Sequence, residues 1–226
     1  MDSHKQRRRK HMIKFKLNGK ELALPSSWFD PNFAQYIAIM ENKSGIIGAI
    51  SVFTGIDIKT LKKAKIEGLD MVVQSLSFLN KMPKFESNAT QIGKYKLPLN
   101  SKGFFDVQFE SLGQFEDMSI VIRSVPEKDI IAHTKAYANY AAIYLQKLRD
   151  GEYDEDKAKL MIPEVMEMPA HEVITAGSFF FLKLLNLLTG TTTNSQTTNP
   201  KLKKSKPVSQ SSKKSSVPTR RLRKSR

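Results

Sequence analysis

The chain has 226 residues, of which 40% are hydrophobic, and its formal net charge at pH 7 is +15. This length suits one domain or two small ones, and the apolar content is sufficient to build a core. The sequence contains no cysteine, which excludes disulfide bonds, thiolate chemistry and cysteine-ligated zinc.

The excess positive charge lies at the two ends. Residues 1–12 carry five Lys/Arg and one acid, for a net charge of +4, and residues 191–226 carry eleven Lys/Arg and no acid, for +11. The remainder, residues 13–190, is therefore neutral as a whole. Any binding that depends on the excess positive charge is therefore expected from the two ends of the chain and not from the folded part.

We expect the first basic segment, residues 1–12, to be a disordered arm. An alternative is that translation begins at Met12, so that the arm is not part of the protein. If the arm is functional, its role is phosphate contact, through Arg7, Arg8, Arg9 and Lys10. No stretch reaches the roughly 20 apolar residues of a membrane span, and the alternation of Ile13–Leu17 does not resemble a signal peptide.

Residues Ile13–Leu24 are predicted to form a β-hairpin, because apolar and polar residues alternate on both sides of Asn18-Gly19. Asn-Gly is the strongest short signal for a type I′ turn, which needs positive φ at both central positions. Two further runs alternate in the same way, Ile92–Leu97 and Phe105–Phe109. Together these runs predict a small antiparallel sheet.

Ser26–Leu79 is the organising stretch, and its apolar periodicity predicts four short helices. Asp30, followed by a proline, is the predicted start of the first helix. Gly55 is predicted to end the second helix and Asp57 to cap the third. Trp28, the only tryptophan, is predicted to be largely buried between the hairpin and the first helix.

The second part of the chain continues with helices. Residues Leu112–Met118 are predicted to turn into a helix, and a long helix is predicted over Glu127–Arg149. Its predicted inward face comprises Ile130, Thr134, Tyr137, Ala141, Tyr144, Leu145 and Leu148. A further helix is predicted to begin after the cap Asp154 and to be broken by Pro163, and the last runs from about Pro169 to about Leu188.

These patterns predict an α+β fold that is predominantly α-helical, with an N-terminal β-hairpin and a small antiparallel sheet packed on two helical halves. Residues 13–190 form the predicted domain, and its two similar halves are predicted at 13–83 and 92–190. The similarity of the halves is a weak internal repeat of apolar helices and Asp-capped short helices.

The segment Phe179–Leu188 is hydrophobic nearly all round. Such a helix is either fully buried in the core or covered by a partner, and a helix lying on a membrane surface is a third alternative. If the helix binds a partner, the candidate residues are Phe179, Phe181, Leu182, Leu185 and Leu188, with Ile174 and Phe180 facing inward. The occupant would be an apolar helix of another protein or of another copy of this chain.

No catalytic constellation appears in the sequence, so we expect neither enzymatic activity nor a cofactor or metal. His133 and His171 lack partners at metal-ligand spacing. The acids between Asp150 and Asp156 do not follow a calcium-loop pattern, and a capped helix start accounts for them.

The C-terminal residues 191–226 are too polar to offset their chain entropy by burial, so we expect them to be disordered. Without interleaved aromatics, this tail could bind nucleic acid only nonspecifically, and a purely solubilising tail is the alternative. The candidate nucleic-acid contacts in the tail are Lys203, Lys204, Lys213, Lys214, Arg220, Arg221, Arg223 and Lys224.

The order of features over about residues 13–188 resembles the tail assembly chaperones of tailed bacteriophages. The residues that carry the resemblance are Leu24-Pro25-Ser26-Ser27-Trp28 leading into Phe33-Ala34-Gln35-Tyr36, Ile50-Ser51-Val52-Phe53-Thr54-Gly55-Ile56, Leu76-Ser77-Phe78-Leu79, and Leu112-Gly113-Gln114-Phe115-Glu116-Asp117-Met118. The long basic tail is not part of the family pattern.

The resemblance implies a non-enzymatic protein in the cytoplasm of an infected bacterial host. It implies that the protein binds tail components, such as the tape measure or the tube subunit, during virion assembly. The alternative is a virion structural or DNA-associated protein, located in the virion, whose basic arms contact nucleic-acid phosphates.

Overall fold

The computed structural model describes residues 12–81 and 88–190, which belong to one compact unit. In chain order the elements of this part are β1 (Met12–Leu17), β2 (Lys20–Pro25), α1 (Phe33–Glu41), α2 (Gly45–Thr54), α3 (Ile58–Lys63), β3 (Ile66–Glu67), α4 (Leu69–Ser75), a 3-10 helix (Leu76–Asn80), β4 (Gln91–Ile92), β5 (Tyr95–Lys96), α5 (Leu112–Ser124), α6 (Ile130–Asp150), α7 (Glu155–Met166) and α8 (Ala170–Thr189). The fold is α+β and mainly α, as predicted.

The N-terminal hairpin is confirmed. Strands β1 and β2 pair antiparallel, with Phe15 opposite Leu22, and the turn residues Asn18 and Gly19 have φ values of 49° and 78°. Alternate positions of β1 point into the core, because the side chains of a strand alternate between its two faces. The short strand β3 adds to the other edge of β1 and completes a sheet of order β2-β1-β3.

The other two predicted strands differ from the prediction. Residues 92–97 contribute to a separate two-stranded hairpin, β4–β5, which does not join the first sheet. Phe105–Phe109 is not a strand: it makes one isolated bridge, between Leu99 and Phe105. Pro98 lies next to this bridge and has no N–H to donate, so the ladder cannot extend past it. The alternation in this segment reflects the burial of Phe105 and Val107.

Local capping signals were correct at most helix ends but not at the first helix. The cap of α1 is Asn32, whose side chain accepts from the Gln35 N–H at 2.8 Å, while the Gln35 side chain accepts from the Asn32 N–H at 3.2 Å. This is a capping box. The predicted cap, Asp30, instead accepts hydrogen bonds from Ser27 Oγ and from the Ser26 N–H. Asp57 caps α3 as predicted.

Pro163 does not break its helix, contrary to the prediction. It lies inside α7, which continues to Met166. Proline removes one backbone hydrogen bond and crowds the preceding turn. Met161 and Val165, on either side of Pro163, are buried, and this packing holds the helix through the disruption.

The central element is α6, against which α5, α7 and α8 all pack. Thr134, Ala141 and Leu145 are buried as predicted. Ile130 and Leu148, which were predicted to face inward, are 69% and 41% exposed. They occupy the first and last turns of α6.

Buried apolar side chains form two clusters. The smaller one joins the first sheet to α2, α3 and α4, and the larger one contains α1 and the elements from β4 to α8. Phe33, Tyr36 and Ile37 of α1 thus pack with the C-terminal part of the chain. The similarity of halves 13–83 and 92–190 stays a prediction.

Trp28 lies between the two clusters and is partly buried: most of its surface is covered, as predicted, although it does not belong to the fully buried core. Its ring contacts Tyr36 edge-on on one side and Phe78 on the other, with centroids 5.3 and 5.2 Å away. Its Nε1–H donates to the carbonyl oxygens of Phe78 at 3.0 Å and Lys81 at 2.8 Å. The ring stays near the surface, where the end of the 3-10 helix presents these carbonyls.

Two tyrosines offer a matched test of this core. The Tyr140 hydroxyl is buried and has no hydrogen-bond partner among the described residues, whereas the Tyr153 hydroxyl donates to the Asp117 carboxylate. Leaving a buried hydroxyl unpaired costs free energy, so Tyr140→Phe should leave the free energy of unfolding unchanged or raise it by up to about 1 kcal/mol. Tyr153→Phe should lower it by about 1 kcal/mol.

Urea denaturation of the two variants and the wild type measures both changes. A larger loss of stability for Tyr140→Phe than for Tyr153→Phe would contradict the placement of these side chains.

Candidate partner-binding surface

Helix α8 is anchored firmly at its start. It follows Pro169, and the Ala170 N–H donates to the Pro31 carbonyl at 3.1 Å, while the Phe33 N–H donates to the Met168 carbonyl at 2.9 Å. These two bonds tie the beginnings of α1 and α8 together. The position of the remaining turns is therefore set from this end of the helix.

A glycine sets the distance between α8 and α6. A Cβ added to Gly177 would lie 2.5 Å from the Cβ and Cγ atoms of Tyr137, a distance that real Cβ atoms essentially never show. Only glycine lets the two helices approach this closely. Around this contact the inward face of α8 is buried, including Ile174 at 8% exposure and Phe180 at 0%, as predicted.

The two helices run antiparallel, and α8 extends beyond the beginning of α6. Tyr137 lies against Gly177, and the His133 ring contacts the Phe181 ring edge-on at 5.8 Å. Each step toward the end of α8 is thus matched by a step toward the beginning of α6. Ile130, the first residue of α6, therefore lies level with Leu184, the last fully buried residue of α8. The last five residues of α8 rise about 7 Å further.

The end of α8 therefore exposes leucines. Leu182, Leu185 and Leu188 are 54%, 38% and 39% exposed, and Phe181 is half-buried. Phe181, Leu185 and Leu188 follow the spacing i, i+4, i+7 and so share one side of the helix, with Leu182 beside them. We call these four residues the α8 face.

Phe179 does not belong to the α8 face, although the sequence grouped it with these residues. Phe179 lies two positions before Phe181 and therefore on the opposite flank of the helix. There it is partly buried, and the centroid of its ring lies 6.0 Å from that of the Phe105 ring. Ile130, in contrast, was predicted to face the core, but lies exposed beside the end of α8. The sequence signal that could have predicted this exposure was the position of Ile130 at the very start of the helix, directly after the cap Asp129.

The predicted nucleic-acid contacts cannot be placed, because Arg7, Arg8, Arg9, Lys10, Lys203, Lys204, Lys213, Lys214, Arg220, Arg221, Arg223 and Lys224 lie outside the described residues. Within residues 12–81 and 88–190, no group of three or more His, Asp or Glu side chains is arranged to hold a metal ion. The Nε2 atom of His133 lies 3.2 Å from the carbonyl oxygen of Glu127, and the His171 ring packs edge-on against the Phe29 ring.

Among the described helices, only α8 is long and apolar enough to cross a membrane, judged by length and composition alone. Core helices of soluble proteins pass the same test, and 39% of the most apolar window of α8 is buried inside the protein. This observation is weak evidence, and no transmembrane segment is shown.

Comparison with known proteins leaves the chain without an assigned family. No family model matches it, and no curated protein or solved structure is significantly similar to it. The resemblance to tail assembly chaperones thus rests on the sequence features alone. The function must be inferred from the surface itself.

Lysine substitutions distinguish the α8 face from the core. Leu185→Lys leaves the cation in water and should change the free energy of unfolding by less than about 1 kcal/mol. Leu184→Lys, at 0% exposure, buries a charge and removes core packing, and should cost about 3 kcal/mol or more. Urea unfolding monitored by circular dichroism measures both, and equal destabilisation by the two would show that Leu185 is core.

Proposed function

We propose that this protein is a non-enzymatic tail assembly chaperone of a tailed bacteriophage, acting in the cytoplasm of the infected bacterium. It holds an apolar helical segment of a tail component, such as the tape measure or the tube subunit, until assembly. One observation carries the proposal: near its end, the helix that anchors the larger core leaves the four apolar side chains of the α8 face partly or largely accessible, and Leu187 on another side of the helix is 51% exposed.

The shape of the α8 face favours a helical partner. Side chains at i, i+4 and i+7 form a ridge along the helix, and such ridges pack into the grooves of another helix. Tape-measure proteins are long and helical, so they would present many such grooves. The resemblance described above supports this class of partner independently of the geometry.

The size of the face suits reversible binding. Fully burying one leucine side chain contributes about 1.5–3 kcal/mol. Association costs an estimated 4–15 kcal/mol in lost translational and rotational freedom. The four side chains of the α8 face are already partly covered, so the gain from burying the rest is comparable with the low end of that cost. The contact is therefore weak, which suits a chaperone that must release its client.

The proposal is tested by co-expressing the chain with the tape-measure or tube protein of the same phage. Leu185→Lys should weaken their association by about tenfold or more, since it places a charge in the apolar contact. Leu160→Lys is the matched control: it makes the same change at a residue that is 80% exposed on α7, and it should leave the association unchanged. Equal effects, or no association of the wild type with either component, would contradict the proposal.

The alternative function, a virion structural or DNA-associated protein, is favoured by the eleven Lys/Arg and no acids of residues 191–226. Mass spectrometry of purified particles separates the two functions. A chaperone should be absent from the mature particle. Stoichiometric presence of the chain in the particle would favour the alternative.

A further inference from the structure

The end of α8 exposes leucines on two sides of the helix. Leu185 and Leu188 belong to the α8 face, at 38% and 39% exposure. Leu187 is 51% exposed and lies four residues after Lys183, so it shares the side of the helix that carries Lys183. A helical partner packed on the α8 face covers one side only and leaves Leu187 in water. A partner that surrounds the helix end covers both sides.

The surface around the end of α8 offers little repulsion to an anionic partner. Residues 173–190 contain one charged residue, Lys183. The three residues before α6, residues 127–129, contain two acids and one lysine, for a net charge of −1. This single negative charge is small beside the positive charge that follows α8 in the sequence.

A strongly basic segment follows α8 directly. Residues 191–226 carry eleven Lys/Arg and no acid, and residues 201–206 contain four lysines among six residues. Ten residues separate the first of these lysines from Gly190, so it can lie at most about 40 Å from the end of the helix. The lysines and the exposed leucines can therefore contact the same extended surface.

We propose that the end of α8 and the lysines of residues 201–206 bind together to the surface of an anionic phospholipid membrane. Leu185, Leu187 and Leu188 enter the boundary between headgroups and acyl chains, and the lysines contact the headgroup phosphates. Attachment by one weak apolar contact is marginal, and stable attachment takes two signals, such as an apolar contact and a basic segment. Each lysine near an anionic surface adds to the binding.

The geometry fits shallow insertion of the helix end. The last five residues of α8 project about 7 Å beyond the start of α6, and interfacial helices bury their apolar side about 5–10 Å into the headgroup boundary. Phe180 and Leu184 are fully buried in the core, so the earlier turns of α8 stay with the protein. The Thr189 hydroxyl donates to the Leu185 carbonyl at 2.9 Å, and water at this depth reaches the other carbonyls of the last turn.

A membrane accounts for both features of this region, whereas nucleic acid accounts for one. The phosphates of nucleic acid attract lysines, but they provide no apolar phase for exposed leucines. An anionic bilayer provides phosphates and an apolar phase within a few ångströms of each other. The direct succession of an apolar helix end and a basic segment without acids therefore selects the lipid surface.

This inference goes beyond the proposed function and does not rest on it. A client on the α8 face and a membrane both cover Leu185 and Leu188, so we expect one copy to bind only one of them at a time. Leu187 lies outside the α8 face. Leu187→Gln should therefore weaken membrane binding and leave the association with a tail component unchanged, which separates the two proposals.

The first test follows insertion directly in the full chain. The sequence contains no cysteine, so Leu187→Cys provides a single site for the environment-sensitive fluorophore nitrobenzoxadiazole. Adding vesicles of phosphatidylglycerol and phosphatidylcholine should shift its emission to shorter wavelength, because the label enters an apolar phase. Leu160→Cys, at a residue 80% exposed on α7, is the matched control and should show no shift. Vesicles of phosphatidylcholine alone should shift neither label.

Vesicle co-sedimentation measures the two signals separately. Leu187→Gln should lower the partition constant by about threefold or more, and the control Leu160→Gln should leave it unchanged. Raising NaCl from about 50 to about 500 mM should weaken binding through screening. Four lysine-to-glutamine substitutions should weaken it by about a hundredfold or more. The four positions are Lys201, Lys203, Lys204 and Lys206.

Three results would overturn the inference. The first is a wild-type chain that does not bind phosphatidylglycerol vesicles at low salt, including one that binds duplex DNA instead. The second is a vesicle-bound protein whose label at position 187 shows no shift, which would mean that the basic segment adsorbs without the helix. The third is a label that shifts to shorter wavelength with rising protein concentration and without vesicles, which would assign the helix end to a second copy.

Discussion

The close approach of α8 to α6 at Gly177 is the contact on which the larger core depends. Any side chain at this position would collide with the Tyr137 ring, 2.5 Å from the nearest carbons. With glycine there, Phe180 and Leu184 reach the interior one and two turns later and are fully buried. The same spacing fixes where burial ends, because α6 begins level with Leu184 and α8 continues to Thr189. One close contact between helices thus explains both the buried and the exposed part of α8.

The rest of the molecule is arranged around two clusters joined near Trp28. Its ring touches Tyr36 of the larger cluster and Phe78 of the smaller one, and its N–H is held by two carbonyls. The smaller cluster lies within residues 12–81, which carry nine Lys/Arg and six acids. The larger cluster lies mainly within residues 88–190, which carry eleven Lys/Arg and fourteen acids.

Much of the fold could be predicted from local signals in the sequence. The Asn18-Gly19 turn and the cap Asp57 were correct because they depend on backbone geometry within a few residues. The errors arose where distant packing decided the outcome. Pro163 was predicted to break a helix that core contacts hold together, and Phe105–Phe109 alternates without finding a strand partner.

The candidate surface was predicted only in part, for the same reason. The apolar run Phe179–Leu188 indicated that the end of α8 must be covered either by the core or by a partner. It did not indicate which side of the helix is exposed. That side depends on where α6 begins, a relation between residues some fifty positions apart in the sequence. For this reason Phe179 was grouped with the exposed residues and Ile130 with the core.

The central claim is that the exposed side of the end of α8 contacts a tail component during infection. A photo-crosslinking amino acid placed at Leu185 tests it most directly, with the same group at Lys183, on the opposite flank of the helix, as the comparison. We expect the Leu185 position to crosslink to the tape-measure or tube protein in infected cells, and the Lys183 position to give little or no such product. Equal crosslinking from both positions, or none from Leu185 in a folded protein, would contradict the account.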